Sequence, residues 1–447
     1  MRKSNVVATA GIVGANFSAT PSSCEPSQKT VSANHVSATQ VRSMFSARFG
    51  VATFLMILAS VAVAPATAAT AATAASAANL ATASAASSAT TTSASTALQL
   101  PEYELDTTWP KLPLPNNWAL GLINGIFVDS KNHLWLYHSP ELVPNYARGA
   151  AATPPSGKCC VPAPAIIEFD EHGNVVRSWD IGPGKGYDAP SSGHGLYIDY
   201  KGNIWIGGSQ TRKGADGSEP DGMFLKFSPD GKLLLQIGGK GPSKGSLDTT
   251  LLSGAANVEV DAATNEVYIA DGYGNHRVIV FDADTGKFKR QWGAYGKPPT
   301  DEQIGPYDPS APPAKQFRIA HCLRISHDGL VYVCDRLNDR LQIFKKDGTF
   351  VKEVIYEPTT KGSGSVGNVS FWPNKDQTFM LMNDPGNFQW VITRRSDGAV
   401  LSRFGHYGTY QGEFQRNHQM EFDHDGAIYT SEDFRVQKFK IINGVKP

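Results

Sequence analysis

Ala256–Trp292 reads ANVEVDAATNEVYIADGYGNHRVIVFDADTGKFKRQW. Three short apolar segments, Val267–Ala270 (VYIA), Arg277–Phe281 (RVIVF) and Phe288–Trp292 (FKRQW), are separated by polar turns, and another strand begins near Ala256. Turns rich in Asp, Asn and Gly join neighbouring strands as hairpins. The stretch therefore predicts four strands in one small antiparallel sheet.

The same pattern runs outward in both directions. Second strands recur at Leu134–Tyr137, Ile204–Ile206, Val331–Cys334, Phe379–Met382 and Ala427–Tyr429. First strands begin near Asn124, His194, Ala256, His321, Asn368 and His418. Four-stranded units repeating at roughly 45–70 residues read as β-propeller blades, here six of them. The last unit ends at Ile442 after three strands, and Tyr103–Leu112 is expected to fill its fourth place, which removes the exposed edges. A β-sandwich is the rival fold, but it does not repeat in phase along the whole chain.

The 447 residues hold 41 Lys+Arg and 41 Asp+Glu, a neutral sum that averages two unlike parts. Residues 1–98 carry Arg2, Lys3, Lys29, Arg42 and Arg48 against Glu25, a balance of +4, which leaves −4 for residues 99–447. A mildly acidic propeller lacks the basic footprint of a nucleic-acid binder. Gly50–Ala64 is an apolar run behind a basic flank, followed by Ala66-Thr67-Ala68, the order of an export signal and its cleavage site. A membrane anchor would need about 20 apolar residues. From Ala66 to Ala97, 30 of 32 residues are Ala, Ser or Thr, which offers almost nothing to bury. The expected organisation is an N-terminal extension and export signal over 1–68, a disordered linker over 69–100 and the propeller over 101–447. A secreted or periplasmic monomer without a membrane span in its mature chain follows from this reading.

The first-strand positions lie at equivalent places round the channel and read Asn, His, Ala, His, Asn, His. Alternate blades of a six-fold ring are about 120° apart, so His194, His321 and His418 are expected to converge on the axis. Three imidazoles with an open fourth position make a catalytic-type zinc site, although imidazole also suits Cu, Fe and Ni. A single strand histidine is more often one hydrogen-bonded to a neighbouring carbonyl; it is the alternation that points to a divalent transition metal.

Gly193-His194-Gly195-Leu196 with Gly202-Asn203-Ile204-Trp205, then Asp271-Gly272-Tyr273-Gly274-Asn275-His276-Arg277, then Cys334-Asp335-Arg336 resemble the NHL-repeat propeller of the peptidyl-α-hydroxyglycine α-amidating lyases over about residues 120–440. The resemblance implies an exported carbon–nitrogen lyase that splits a peptidyl-α-hydroxyglycine into a peptide amide and glyoxylate. It implies zinc on His194, His321 and His418, with Tyr273 as base and Arg336 near the site, able to hold a carboxylate. Packing of Tyr273 on a turn, and a salt bridge from Arg336 to Asp335 or Asp339, are the competing structural readings.

Two positions depart from that family. Ser139 stands where it has a catalytic Arg, and Gln419 stands where an Asp after the third His binds calcium, leaving only the carbonyls of Ile126 and Leu196 for that ion. Calcium is therefore a doubtful cofactor. The alternative function is a non-catalytic NHL propeller that binds a peptide, glycan or protein partner. A calcium lactonase on the same fold would need an acidic axis.

Five cysteines occur, four of them beyond the export segment. The adjacent Cys159-Cys160 pair leaves disulfide, soft-metal binding and free thiols open. A tight turn at His327-Asp328-Gly329 places Leu323 opposite Cys334 and Cys322 on the other face, so a Cys322–Cys334 disulfide is not expected. The insertions Ser139–Pro164, Gly208–Asp221 and Pro298–Ala314 are expected to shape the channel mouth.

Overall fold

A computed structural model describes residues 99–447 apart from Pro183. The extension, the export signal and nearly all of the linker lie outside the described residues.

Six four-stranded antiparallel sheets form the blades of a propeller. Blade 1 holds Leu122–Val128, Leu134–Ser139, Ile166–Phe169 and Val175–Trp179; blade 2 holds Gly193–Ile198, Ile204–Gly208, Asp221–Phe227 and Leu233–Lys240. Blade 3 is Ala255–Asp261, Glu266–Asp271, Arg277–Asp282 and Phe288–Trp292; blade 4 is Ala320–Ile325, Leu330–Asp335, Arg340–Lys345 and Phe350–Ile355. Blade 5 is Asn368–Phe371, Phe379–Asp384, Gln389–Arg394 and Val400–Phe404. Blade 6 has Met420–Phe422, Ile428–Ser431 and Val436–Asn443, and Glu102–Leu105 supplies its outer strand, with Leu105 opposite Phe439. The closing strand is thus shorter than the Tyr103–Leu112 span anticipated. Among the described residues no helix is long and apolar enough to cross a membrane.

Strand alternation sends apolar side chains to both faces of each blade, and the core is divided among the seams between blades. Trp205, Phe224 and Ile237 of blade 2 pack on Val258, Ile269 and Phe281 of blade 3, and corresponding clusters fill the other seams. Removing one such large side chain costs about 3–5 kcal/mol. The hairpin turns are fixed by side-chain acceptors. Asp199 takes the backbone N–H groups of Lys201 and Asn203 and the indole N–H of Trp205; Asp129 does the same for Lys131, His133 and Trp135.

The innermost strands are not regular. In blades 1 to 4 the pairing slips by one residue, leaving Asn124, Gly195, Ala256 and His321 as the extra residues of β-bulges. A bulge bends the strand and re-aims side chains. One extra residue also reverses the alternation, so positions three apart share a face that positions two apart share in a regular strand. Below the ring of Asn124, His194, Ala256 and His321, a second tier therefore meets on the axis: Phe127, Tyr197, Glu259 and Arg324. Blade 5 shows no slip, and its second-tier residue, Ser370, lies two beyond Asn368. Arg324 hydrogen-bonds Glu421 of blade 6, lies 3.8 Å from Glu259, and stacks over Phe127 of the opposite blade at 5.7 Å. Ser370 Oγ donates to the other oxygen of Glu421 at 3.1 Å. This charged layer, with Arg324 and Glu421 buried, links blades 1, 3, 4, 5 and 6 across the axis.

The turn between the first two strands of blade 4 corrects the cysteine expectation. The chain turns through Ser326–Leu330 and pairing runs unbroken from Ile325–Val331 to Cys322–Cys334, so Cys322 faces Cys334 directly with Cα atoms 4.9 Å apart, and the two are joined as a disulfide. The tight-turn register was off by one residue. Cys159 is paired with Cys160.

Burial raises the Glu259 carboxyl from its usual range to about 7 against the pull of Arg324. The folded protein holds that proton more tightly than the unfolded chain, so its stabilising contribution is full below about pH 4.5 and is lost as pH rises through 7. Urea denaturation of the wild type and Glu259→Gln at pH 4.5 and pH 7 should show the wild type losing about 1–3 kcal/mol relative to the variant across that window. Parallel pH profiles for the two proteins would contradict this.

Candidate metal centre

His194 lies beside the blade 2 bulge, His321 is the bulge residue of blade 4, and His418 lies two residues before the inner strand of blade 6. The backbone N–H of His418 donates to Ser431 O at 2.9 Å, which fixes its entry to the ring. All three side chains are buried, and their ligand atoms lie within 4.8 Å of one another. The structure thus brings together the three histidines that the alternation singled out.

Two of them also make the ordinary strand-histidine contact. His194 Nδ1 lies 2.8 Å from Ala256 O and His321 Nδ1 lies 2.7 Å from Gly367 O, each in the next blade. A carbonyl only accepts, so Nδ1 carries the proton and Nε2 presents a lone pair to the axis. His418 Nε2 is 3.2 Å from His194 Nε2, while its Nδ1 is buried without a partner. Burial, reinforced by the guanidinium charges of Arg336 and Arg416, pushes His194 down to about 4 and His321 and His418 well below the usual imidazole range. Neutral imidazoles converging through Nε2, two of them anchored through Nδ1, are the donor set that a borderline cation takes. Nitrogens bound about 2.0–2.1 Å from one tetrahedral ion lie about 3.3 Å apart; the His194 and His418 Nε2 atoms are 3.2 Å apart, and all three ligand atoms lie within 4.8 Å. The residues therefore fit a three-His divalent site.

Tyr273 closes the cluster, its hydroxyl 3.0 Å from the Nε2 of both His194 and His321. Its turn is held at both ends. Asp271 and Arg277 form a fully buried ion pair at 2.9 Å, Asp271 accepts the Ser253 N–H, and the Tyr273 N–H donates to Gly254 O. Gly272 passes so close to blade 4 that a Cβ there would lie 2.2 Å from Ala320 O. Burial raises the Tyr273 phenol above its usual range, against the opposing pull of Arg336 and Arg416.

Arg336 leaves blade 4 through an equivalent device. Asp335 pairs with Arg340 at 2.8 Å and accepts the N–H groups of Arg318 and Ile319, so neither it nor Asp339 bridges Arg336. Arg336 Nε donates to Ser363 O at 2.7 Å, and among the described residues no carboxylate pairs with its guanidinium. With His321 and His418 it lines a pocket of 410 Å³ whose other walls are Ser363, Gly367, Asn383, Pro385, Phe388, Tyr407, Gln415–Asn417 and Asp433. These come from blades 4 to 6 and not from the three insertions expected at the mouth. A larger cavity of 770 Å³ lies beside Trp109, Trp118 and Phe434, without any of the five predicted site residues.

At the departing positions, Ser139 is buried within 3.0 Å of the Asn124 amide, and Gln419 Oε1 accepts the Ile126 N–H at 2.9 Å. Arg416 and Asp433, paired at 2.8 Å on the pocket wall, escaped the sequence reading. The available signal was the placement of Arg416 two residues before His418.

No protein-family model matches the chain. It is 26% identical over 338 residues to peptidyl-glycine alpha-amidating monooxygenase B of Xenopus laevis, a match covering 74% of this chain and 34% of that protein. The chain spans about a third of the length of the monooxygenases it matches. NHL repeat-containing protein 3 of Homo sapiens is 28% identical over 356 residues, 77% of this chain and 86% of that one. Peptidyl-alpha-hydroxyglycine alpha-amidating lyase 2 of Drosophila melanogaster is 27% identical over 252 residues, 54% of this chain and 51% of that one. The chain is a six-bladed β-propeller distantly related to the peptidyl-α-hydroxyglycine α-amidating lyases and to the NHL repeat proteins.

Proposed function

We propose that the protein is an exported, metal-dependent carbon–nitrogen lyase acting on a peptidyl-α-hydroxyglycine or a close analogue. The observation that carries this reading is the convergence of three buried Nε2 atoms from alternate blades on one point, with the Tyr273 hydroxyl 3.0 Å from two of them. His194, His321 and His418 hold the ion, zinc or another divalent transition metal, which supplies a Lewis acid that lowers the pKa of a hydroxyl. Tyr273 takes the substrate hydroxyl proton. The electron pair left on that oxygen forms the carbonyl of glyoxylate, the carbon–nitrogen bond breaks, and the peptide nitrogen gains a proton to leave as an amide. Arg336 holds the carboxylate through the guanidinium nitrogens that Ser363 does not use, a contact suited to bidentate pairing. The Cys322–Cys334 disulfide and the likeness to the amidating monooxygenases support an exported location, since disulfides persist in oxidising compartments.

The likeness to NHL repeat-containing protein 3 over most of its length favours a second reading, a propeller that binds a partner without turning it over. That reading predicts no stoichiometric metal and unchanged partner binding after His194→Ala.

Elemental analysis of the purified full-length protein should find about one divalent transition metal per chain. His321→Ala should lose it; a metal-free wild type, or unchanged content in the variant, sinks the proposal. Glyoxylate released from an α-hydroxyglycine peptide measures the reaction. Tyr273→Phe should keep the metal and lower kcat by about 10²–10⁴, and a variant as active as the wild type removes Tyr273 from the role of base.

A further inference from the structure

The 410 Å³ pocket has two unlike walls. On one, Tyr407 is 63% exposed and packs edge-on against Phe388, ring centroids 5.1 Å apart. Phe388 adopts a φ of 55°, the left-handed region that bulky side chains rarely enter. It ends the short turn Pro385–Phe388 between two strands of blade 5, a place where Gly or Asn would sit with less strain. The strained residue is an aromatic, and its ring lines the pocket.

The other wall is cationic. Arg336 has no carboxylate partner among the described residues, and Arg416 gives one nitrogen to Asp433 while its remaining nitrogens have no protein acceptor among them. Asp433 is the single carboxylate lining the pocket, so two guanidiniums face one acid. The segment carrying Arg416 is pinned on both sides, by Gln415 N–H donating to Glu432 and by the Asn417 amide donating to the carbonyls of Asp384 and Gln389.

We propose that this pocket selects an acid bearing an aromatic side chain, the acidic group taken by Arg336 and Arg416 and the ring by the Phe388–Tyr407 platform. The inference deepens the lyase reading, and rests on it for the reacting group: the residue before the hydroxyglycine is aromatic. Arg416 and Tyr407 are specificity residues.

Calorimetric titration of the full-length protein, zinc-loaded and chelator-treated in parallel, tests this with three unreactive probes: N-acetyl-phenylalanylglycine, N-acetyl-alanylglycine and N-acetyl-phenylalanylglycinamide. The phenylalanyl acid should bind roughly tenfold more tightly than the alanyl acid, and also more tightly than the amide. Tyr407→Ala should abolish the preference for phenylalanine and keep that for acid over amide. Arg416→Gln should weaken the acid by roughly tenfold and leave the amide unchanged. Equal binding of the two acids, an unchanged preference in Tyr407→Ala, an unchanged acid-to-amide ratio in Arg416→Gln, or no binding at millimolar probe overturns it. Failure of the lyase reading looks different: no metal and no glyoxylate, with the probe preferences intact.

Discussion

The extra residue in the innermost strand of blades 1 to 4 is the constraint on which the centre of the molecule depends. A regular strand sends every second side chain to one face. The bulge breaks that rule once per blade, at the level where the channel opens. It turns His321 inward, leaves Gly195 beside His194 with a φ of 73°, and lets a second tier three residues on face the same axis. Polar groups thus meet at two levels in a protein whose seams are apolar.

The two levels do different work. In the lower one Arg324 is shared by Glu421 and Glu259 and covers Phe127, so opposite blades touch across the axis. Breaking such a buried pair costs more than forming it stabilises, because the partner is left charged and dry. In the upper level imidazole nitrogens face one another, those of His194 and His321 anchored from behind by the carbonyls of Ala256 and Gly367. The buried ion pairs Asp271–Arg277 and Asp335–Arg340 stand one step further out and hold the turns of Tyr273 and Arg336. The DGYGNHR and CDR motifs are therefore largely scaffolding, each presenting a single side chain to the ring.

The blades and the alternation of histidines were legible because both repeat in phase, and a repeat survives uncertainty about any one strand. Single-residue events do not. A one-residue difference in the turn Ser326–Leu330 shifts the whole register, so Cys322 and Cys334 were placed on opposite faces although they lie opposite one another. Arg416 and Asp433 belong to connections without a repeated pattern, and only folding brings them beside Arg336. The three insertions stand out by their length, yet the pocket is walled by connections of blades 4 to 6, because nearness to the alternate-blade histidines is set by blade order.

Blade 6 is completed by a strand from the opposite end of the propeller, Leu105 lying across from Phe439. During synthesis blades 1 to 5 can each close from neighbouring hairpins as they emerge, but Glu102–Leu105 must wait for Val436–Asn443 before it has anything to pair with. His418 sits in that same last blade. The cluster of imidazoles is accordingly completed late in the assembly of the propeller, and ring closure and completion of the site become one event in time.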